Sequence, residues 1–146
     1  MSENLRNYTK ALYGLDAVVQ RVTDEQWGLD SPCEGWSALD VLAHNIGMCN
    51  MIAGFASGTG ASSPTDPEVV DPQAEWAAVR DGVLTALDQQ DVLSSRADTP
   101  WGNLTIDRFI GIVTVDPLTH TFDLARAVGQ GIVLDETLAA TGLAQL

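Results

Sequence analysis

The feature that most constrains the fold is a stripe of apolar residues at helical spacing near the N-terminus. Apolar side chains recur at alternating steps of three and four positions, namely Leu5, Tyr8, Leu12, Leu15, Val19 and Val22. This spacing places them on one face of an amphipathic helix, and other elements must cover that face. The stripe therefore predicts a helix over about residues 3–23 that packs in a bundle.

A second helix is predicted from Ser37 to about Ser57. Ser37 is a typical N-cap residue, and Asp40 at the third helical position is its capping-box partner. The helix is apolar on two faces, so we expect it to be buried on two sides, with His44 in the interior. The Gly-, Ser- and Thr-rich residues 58–71 that follow predict a long connection.

Two further helices are predicted in the second half of the chain. The third helix is predicted to begin at Asp71, a typical N-cap residue followed by proline, and to end near Gln89. Residues 92–104 are predicted to form a loop. Residues 106–115 are rich in Ile, Val and Thr and favour either a strand or the start of a helix that stops at Gly129. We prefer the helix, because a lone strand cannot satisfy its backbone hydrogen bonds.

These elements predict an all-α fold, a four-helix bundle with a long connection between helices 2 and 3 and a short C-terminal helix after residue 132. A length of 146 residues with 45% hydrophobic residues predicts one globular domain, residues 1–146. The net charge of −13 argues against nucleic acids and anionic membranes as partners. Residues 1–10 lack the apolar core of a signal peptide, which predicts a cytoplasmic location and reduced cysteines.

The residues with the clearest chemical potential are the two histidines, His44 and His120. Asp116 lies four positions before His120, so on a helix both side chains leave the same face. His44 lies on a buried face of helix 2 and can supply a third ligand. Two imidazoles and one carboxylate suit zinc, nickel or Fe(II), and three protein ligands leave coordination positions open for water or substrate.

Other interpretations of these residues remain open. An aspartate and a histidine at this spacing are usually a surface pair or part of a satisfied core. Asp116 also precedes Pro117, so it can be the N-cap of a new helix. If the fourth helix is instead continuous, the proline should kink it, because proline removes the hydrogen bond to the carbonyl of Val113.

Two motifs resemble the DinB-like superfamily, and most closely the N-terminal domain of mycothiol-dependent maleylpyruvate isomerases. Residues 31–44 read Ser-Pro-Cys-Glu-Gly-Trp-Ser-Ala-Leu-Asp-Val-Leu-Ala-His, similar to that family's Pro-Cys-x-Gly-Trp loop and Leu-Leu-Ala-His helix. Residues 120–129 resemble the family's His-x-Trp-Asp-Leu-Ala-Arg-Ala-x-Gly motif. Residues 99–102, which read Thr-Pro-Trp-Gly, also resemble a turn of that family. Phe122 replaces the usual Trp, and Pro117 replaces a helix former.

The resemblance implies a four-helix bundle that holds one metal ion through His44, Asp116 and His120. The expected metal is zinc, with nickel and iron as alternatives, and the expected cosubstrate is a low-molecular-weight thiol. The resemblance also implies a homodimer. Asp123 and Arg126 follow His120 on the same helix, and we predict catalytic roles for them. Asp123 would orient a metal ligand and Arg126 would bind a carboxylate, unless the two form only a surface ion pair.

The two cysteines are interpreted as structural. Cys33 is a tempting nucleophile, but its loop is better explained by packing between Pro32 and Trp36. Cys49 lies on an apolar face of helix 2 and is predicted to be part of the core.

The leading functional hypothesis is a metal-dependent enzyme that uses a mycothiol-like thiol for S-transfer or isomerisation of a small electrophilic substrate. The alternative is a helix-bundle binding module without catalysis, favoured by Pro117 and by an end of the chain earlier than in many similar proteins. A weaker option is a non-haem Fe(II) oxygenase, which uses the same types of ligand.

Overall fold

The computed structural model describes residues 1–59, 66–132 and 140. Five α-helices are formed there: α1 (Glu3–Val19), α2 (Ala38–Ser57), α3 (Pro72–Leu87), α4 (Ile106–Val113) and α5 (Val115–Ala127). A short 3-10 helix spans Asp24–Gly28, and the strands β1 (Arg96–Thr99) and β2 (Gly102–Thr105) form an antiparallel hairpin. The predicted all-α bundle is confirmed, with α4 and α5 together forming the fourth helix.

The helices pack around one core. Helix α1 contacts α3, α4 and α5, and α2 contacts α3 and α5, so the bundle closes in the order α1, α3, α2, α5. The predicted stripe of α1 is buried, although the helix ends four residues earlier than expected, at Val19. Val22 lies beyond that end and is still only 5% exposed. The apolar spacing therefore predicted which residues are buried better than it predicted where the helix ends.

The starts of α2 and α3 follow the predicted caps. The Ser37 hydroxyl accepts a hydrogen bond from the Asp40 amide, and the Asp40 carboxylate accepts one from the Ser37 amide. The Asp71 side chain accepts a hydrogen bond from the Ala74 amide, with Pro72 as the first helical residue. These side chains satisfy amides that have no partner within the helix.

The fourth helix is divided at Thr114, between α4 and α5. Pro117 has no amide hydrogen, so the helical hydrogen bond to the carbonyl of Val113 cannot form. The Thr114 hydroxyl and amide both donate to the carbonyl of Ile110, a local arrangement that bends helices. The alternative in which Asp116 caps a new helix is wrong, because Asp116 lies within the first turn of α5.

The prediction that residues 92–104 form a loop is wrong for most of that segment, because it forms the β-hairpin. Its strands are four residues long and mostly exposed, so no apolar alternation marked them in the sequence. Side chains hold it together: Arg96 donates to the side chain and the carbonyl of Asn103, and Asn103 donates to Asp98. Gly102 adopts a φ of 105° at the turn, which favours glycine.

The predicted terminal helix over residues 132–146 lies almost entirely outside the described residues. None of the helices in the described ranges combines the length and apolarity needed to cross a membrane.

Candidate metal centre

Three side chains from two helices converge where α2 packs against α5. His44 comes from α2, and Asp116 and His120 come from the first two turns of α5. His44 Nε2 lies 3.3 Å from Asp116 Oδ2, and His120 Nε2 lies 3.4 Å from Asp116 Oδ1. One ligand atom from each residue lies within 4.8 Å of the others. The three residues predicted as metal ligands are thus brought together.

His44 is less buried than the two-faced pattern of α2 predicted. Its side chain is 20% exposed, and those of Asp116 and His120 are 27% and 13% exposed. The helix is therefore buried on most of its circumference but opens toward solvent at His44. That opening gives a ligand a path to the centre.

The carboxylate of Asp116 has the features expected of a metal ligand. Burial alone would raise its pKa, but hydrogen bonds from His120 and His44 outweigh burial and lower the pKa to about 2. Its Oδ2 atom is buried and, despite the 3.3 Å contact with His44, has no hydrogen-bond partner among the described residues. Such an orphaned acceptor is rare in protein interiors.

The spacing of these atoms fits a divalent metal. Nitrogen and oxygen ligands about 2.0–2.2 Å from a tetrahedral ion lie roughly 3.3–3.5 Å from each other. Measured to one oxygen, Asp116 Oδ1, the separations are 3.5 Å for His44 Nε2 and 3.4 Å for His120 Nε2, and both fall in this range. The same carboxylate, whose Oδ2 has no hydrogen-bond partner among the described residues, favours a cation there. The residues present therefore fit the metal that the resemblance implies.

Each histidine has a second carboxylate at its other ring nitrogen. His120 Nδ1 lies 3.0 Å from Asp123 Oδ2, and His44 Nδ1 lies 3.6 Å from Asp66 Oδ1. The hydrogen bond with Asp116 is the largest cause that raises the pKa of His44, and Asp66 adds to it. A carboxylate at Nδ1 favours a proton there and leaves Nε2 free as a metal ligand.

Cys33 belongs to this network, which sequence analysis did not predict. Its thiol donates a hydrogen bond of 3.3 Å to Asp123 Oδ2, the same oxygen that faces His120. Burial and the neighbouring Asp123 carboxylate raise the pKa of Cys33, which makes it a poor nucleophile. Cys49 is buried as predicted, next to the hydroxyl of Tyr8, and burial raises its pKa to about 12.

Trp36 forms one wall of the centre. Its ring centroid lies 5.2 Å from that of His44 and 6.0 Å from that of His120. The loop before α2 is held by Ser31, whose hydroxyl accepts from the Cys33 amide and donates to the Trp36 carbonyl. Gly35 adopts a φ of 80° in this loop. The loop that resembles the family motif therefore places both Cys33 and Trp36 at the histidines.

The two predicted catalytic residues lie in different environments. Asp123 is 8% exposed and is part of the centre through His120 and Cys33. Arg126 is exposed, and its guanidinium carbon lies 5.6 Å from the centre of the Phe122 ring. No ion pair joins Asp123 to Arg126 among the described residues, so the surface-pair interpretation is not supported.

Comparison with known proteins gives a consistent result. The model of the mycothiol maleylpyruvate isomerase N-terminal domain family matches residues 9–125. Two uncharacterized proteins, from two strains of Mycobacterium tuberculosis, are each 31% identical to the chain over 145 residues. These matches cover 96% of this chain and 75% of each relative. No solved structure matches the chain.

Proposed function

Because the chain belongs to the mycothiol maleylpyruvate isomerase N-terminal domain family, we propose that it is a metal-dependent, thiol-using enzyme. The thiol is of low molecular weight and mycothiol-like, and the reaction is S-transfer to, or isomerisation of, a small electrophilic substrate. The observation that carries this proposal is the convergence of His44, Asp116 and His120, with one Asp116 oxygen that has no hydrogen-bond partner among the described residues.

The roles of the residues follow from their contacts. His44, Asp116 and His120 would hold the ion, and Asp123 would fix the orientation of the His120 ring. Once bound, a divalent metal such as zinc, nickel or iron lowers the pKa of a coordinated thiol, so that thiolate is available at neutral pH. Three protein ligands leave room in the coordination sphere for that thiol.

Two more residues are assigned to ligand binding. Trp36 shields one side of both imidazoles and provides a flat apolar surface beside the metal position. Arg126 is the only Lys or Arg on α2 or α5, so it is the cation of these two helices that can bind a carboxylate of thiol or substrate. Its position over Phe122 leaves the guanidinium exposed to solvent.

The proposal is tested with the cobalt-substituted protein. Mycothiol added to it should produce an intense sulfur-to-cobalt charge-transfer band. The band should be absent in His44→Ala and unchanged in Asp98→Asn, which removes a carboxylate of the hairpin. Cobalt binding without this band would contradict the thiol-using enzyme and favour the binding module without catalysis.

A further inference from the structure

We propose that Asp66, in the connection between α2 and α3, is a positioning residue for His44. This inference rests on the proposed function, since it concerns the same metal centre. It places Asp66 beside the centre, although neither periodicity nor the family-like motifs in the sequence mark this residue.

The inference rests on the contacts of the two histidine rings. Each imidazole faces Asp116 with Nε2 and a different carboxylate with Nδ1. At His120 that carboxylate is Asp123, 3.0 Å away, and at His44 it is Asp66, 3.6 Å away. Among the described residues, Asp66 is the one carboxylate that forms an ion-pair contact with His44 Nδ1. Without it, no other described carboxylate would make that contact.

The chain that follows Asp66 is anchored at Val69 to Asp71. Val69 is 9% exposed and packs in the core. The amides of Val70 and Asp71 both donate to the Glu75 carboxylate in the first turn of α3. Asp66 therefore lies three residues before an anchored segment.

The chemical role of Asp66 follows from the requirement for a neutral imidazole ligand. A metal on Nε2 of His44 requires the remaining proton on Nδ1, and the negative charge of a carboxylate 3.6 Å from Nδ1 favours that tautomer and the ring orientation. The carboxylate also makes the imidazole a stronger donor to the metal. Asp66 has a side chain that is 45% exposed, against 12% for Asp123, so water screens its effect more strongly.

The test compares Asp66→Asn with a matched control, Glu68→Gln, which removes one negative charge two residues away on an exposed side chain. The dissociation constant for Zn²⁺ is measured by competition with a chelator, and the visible spectrum of the Co²⁺ form reports the ligand environment. Asp66→Asn should weaken zinc binding about tenfold, the lower end of the effect of such partners, and shift the cobalt spectrum.

The control variants separate the possible outcomes. Glu68→Gln should bind zinc with the wild-type affinity, and Asp123→Asn should lose more affinity than Asp66→Asn. If the wild type binds zinc, His44→Ala does not, and Asp66→Asn behaves like Glu68→Gln, the role of Asp66 is overturned while the metal centre stands. If the wild type binds no divalent metal, the proposed function and this inference both fail.

Discussion

Asp116 is the residue on which the centre depends, because its two oxygens face the two imidazoles. Its spacing from His120 could be predicted from helical geometry, and the apolar faces of helix 2 already pointed to His44 as the third ligand. The neighbours of these ligands could not be predicted in this way. Trp36 and Cys33 reach the centre through the loop that turns at Gly35, and Asp66 lies in a segment without periodicity or motif in the sequence.

At the residue scale, the prediction concerns the thiol of Cys33. Cys33→Ala should weaken zinc binding severalfold, because the buried Asp123 carboxylate loses a donor and His120 loses part of its support. Cys33→Ser should retain most of the affinity, since a hydroxyl can donate to the same oxygen. Chelator competition measures both variants. Equal affinities for alanine and serine would show that the hydrogen bond is irrelevant and that Cys33 only fills space.

Among the elements, α2 and α5 carry the proposed metal ligands, and local signals position both helices. The start of α2 could be predicted from Ser37 and Asp40, because a capping box is a short-range pattern. The interruption of the fourth helix was expected from Pro117, and it occurs one residue beyond Val113, whose carbonyl loses its partner. The hairpin could not be predicted because its polar, mostly exposed strands show no alternation of apolar and polar residues.

At the element scale, the prediction concerns the cap of α2. Ser37→Ala should lower the free energy of unfolding by about 1 kcal/mol, because the Asp40 amide loses its acceptor. Ser57→Ala is the matched control at the other end of the helix, where the hydroxyl donates to the carbonyls of Ala53 and Gly54 and lies 3.2 Å from the Thr59 hydroxyl. It should change stability by less than about 0.5 kcal/mol. Urea unfolding measures the free energy of unfolding of both variants, and equal losses of stability would contradict the capping role.

For the whole molecule, the centre links stability to pH. In the metal-free protein Asp116 raises the pKa of His44 above its ordinary value of 6.5. His120 and His44 together lower the pKa of Asp116 from 3.8 to about 2. The stabilisation from protonated His44 is complete below pH 6.5 and is lost as pH rises through its raised pKa. The stabilisation from ionised Asp116 is present above pH 3.8 and is lost as pH falls toward 2.

The prediction at this scale is that metal reverses the pH dependence above pH 6.5. Without metal, the free energy of unfolding should fall as His44 loses its proton. With zinc, the stabilisation should grow over the same interval, because the imidazoles must be deprotonated to bind the ion. Urea unfolding with chelator and with zinc measures both trends. His44→Gln should flatten the metal-free trend, and an unchanged slope in that variant would contradict the assignment to His44.

The metal centre itself is tested most directly by elemental analysis of the native protein, purified without chelator, beside His44→Ala. The wild type should contain one divalent metal ion per chain, and His44→Ala should lose it while keeping its helical circular dichroism spectrum. Asp98→Asn, in the hairpin, should keep the wild-type metal content. A native protein without stoichiometric metal that also fails to take up zinc, nickel or iron on reconstitution would contradict the metal centre.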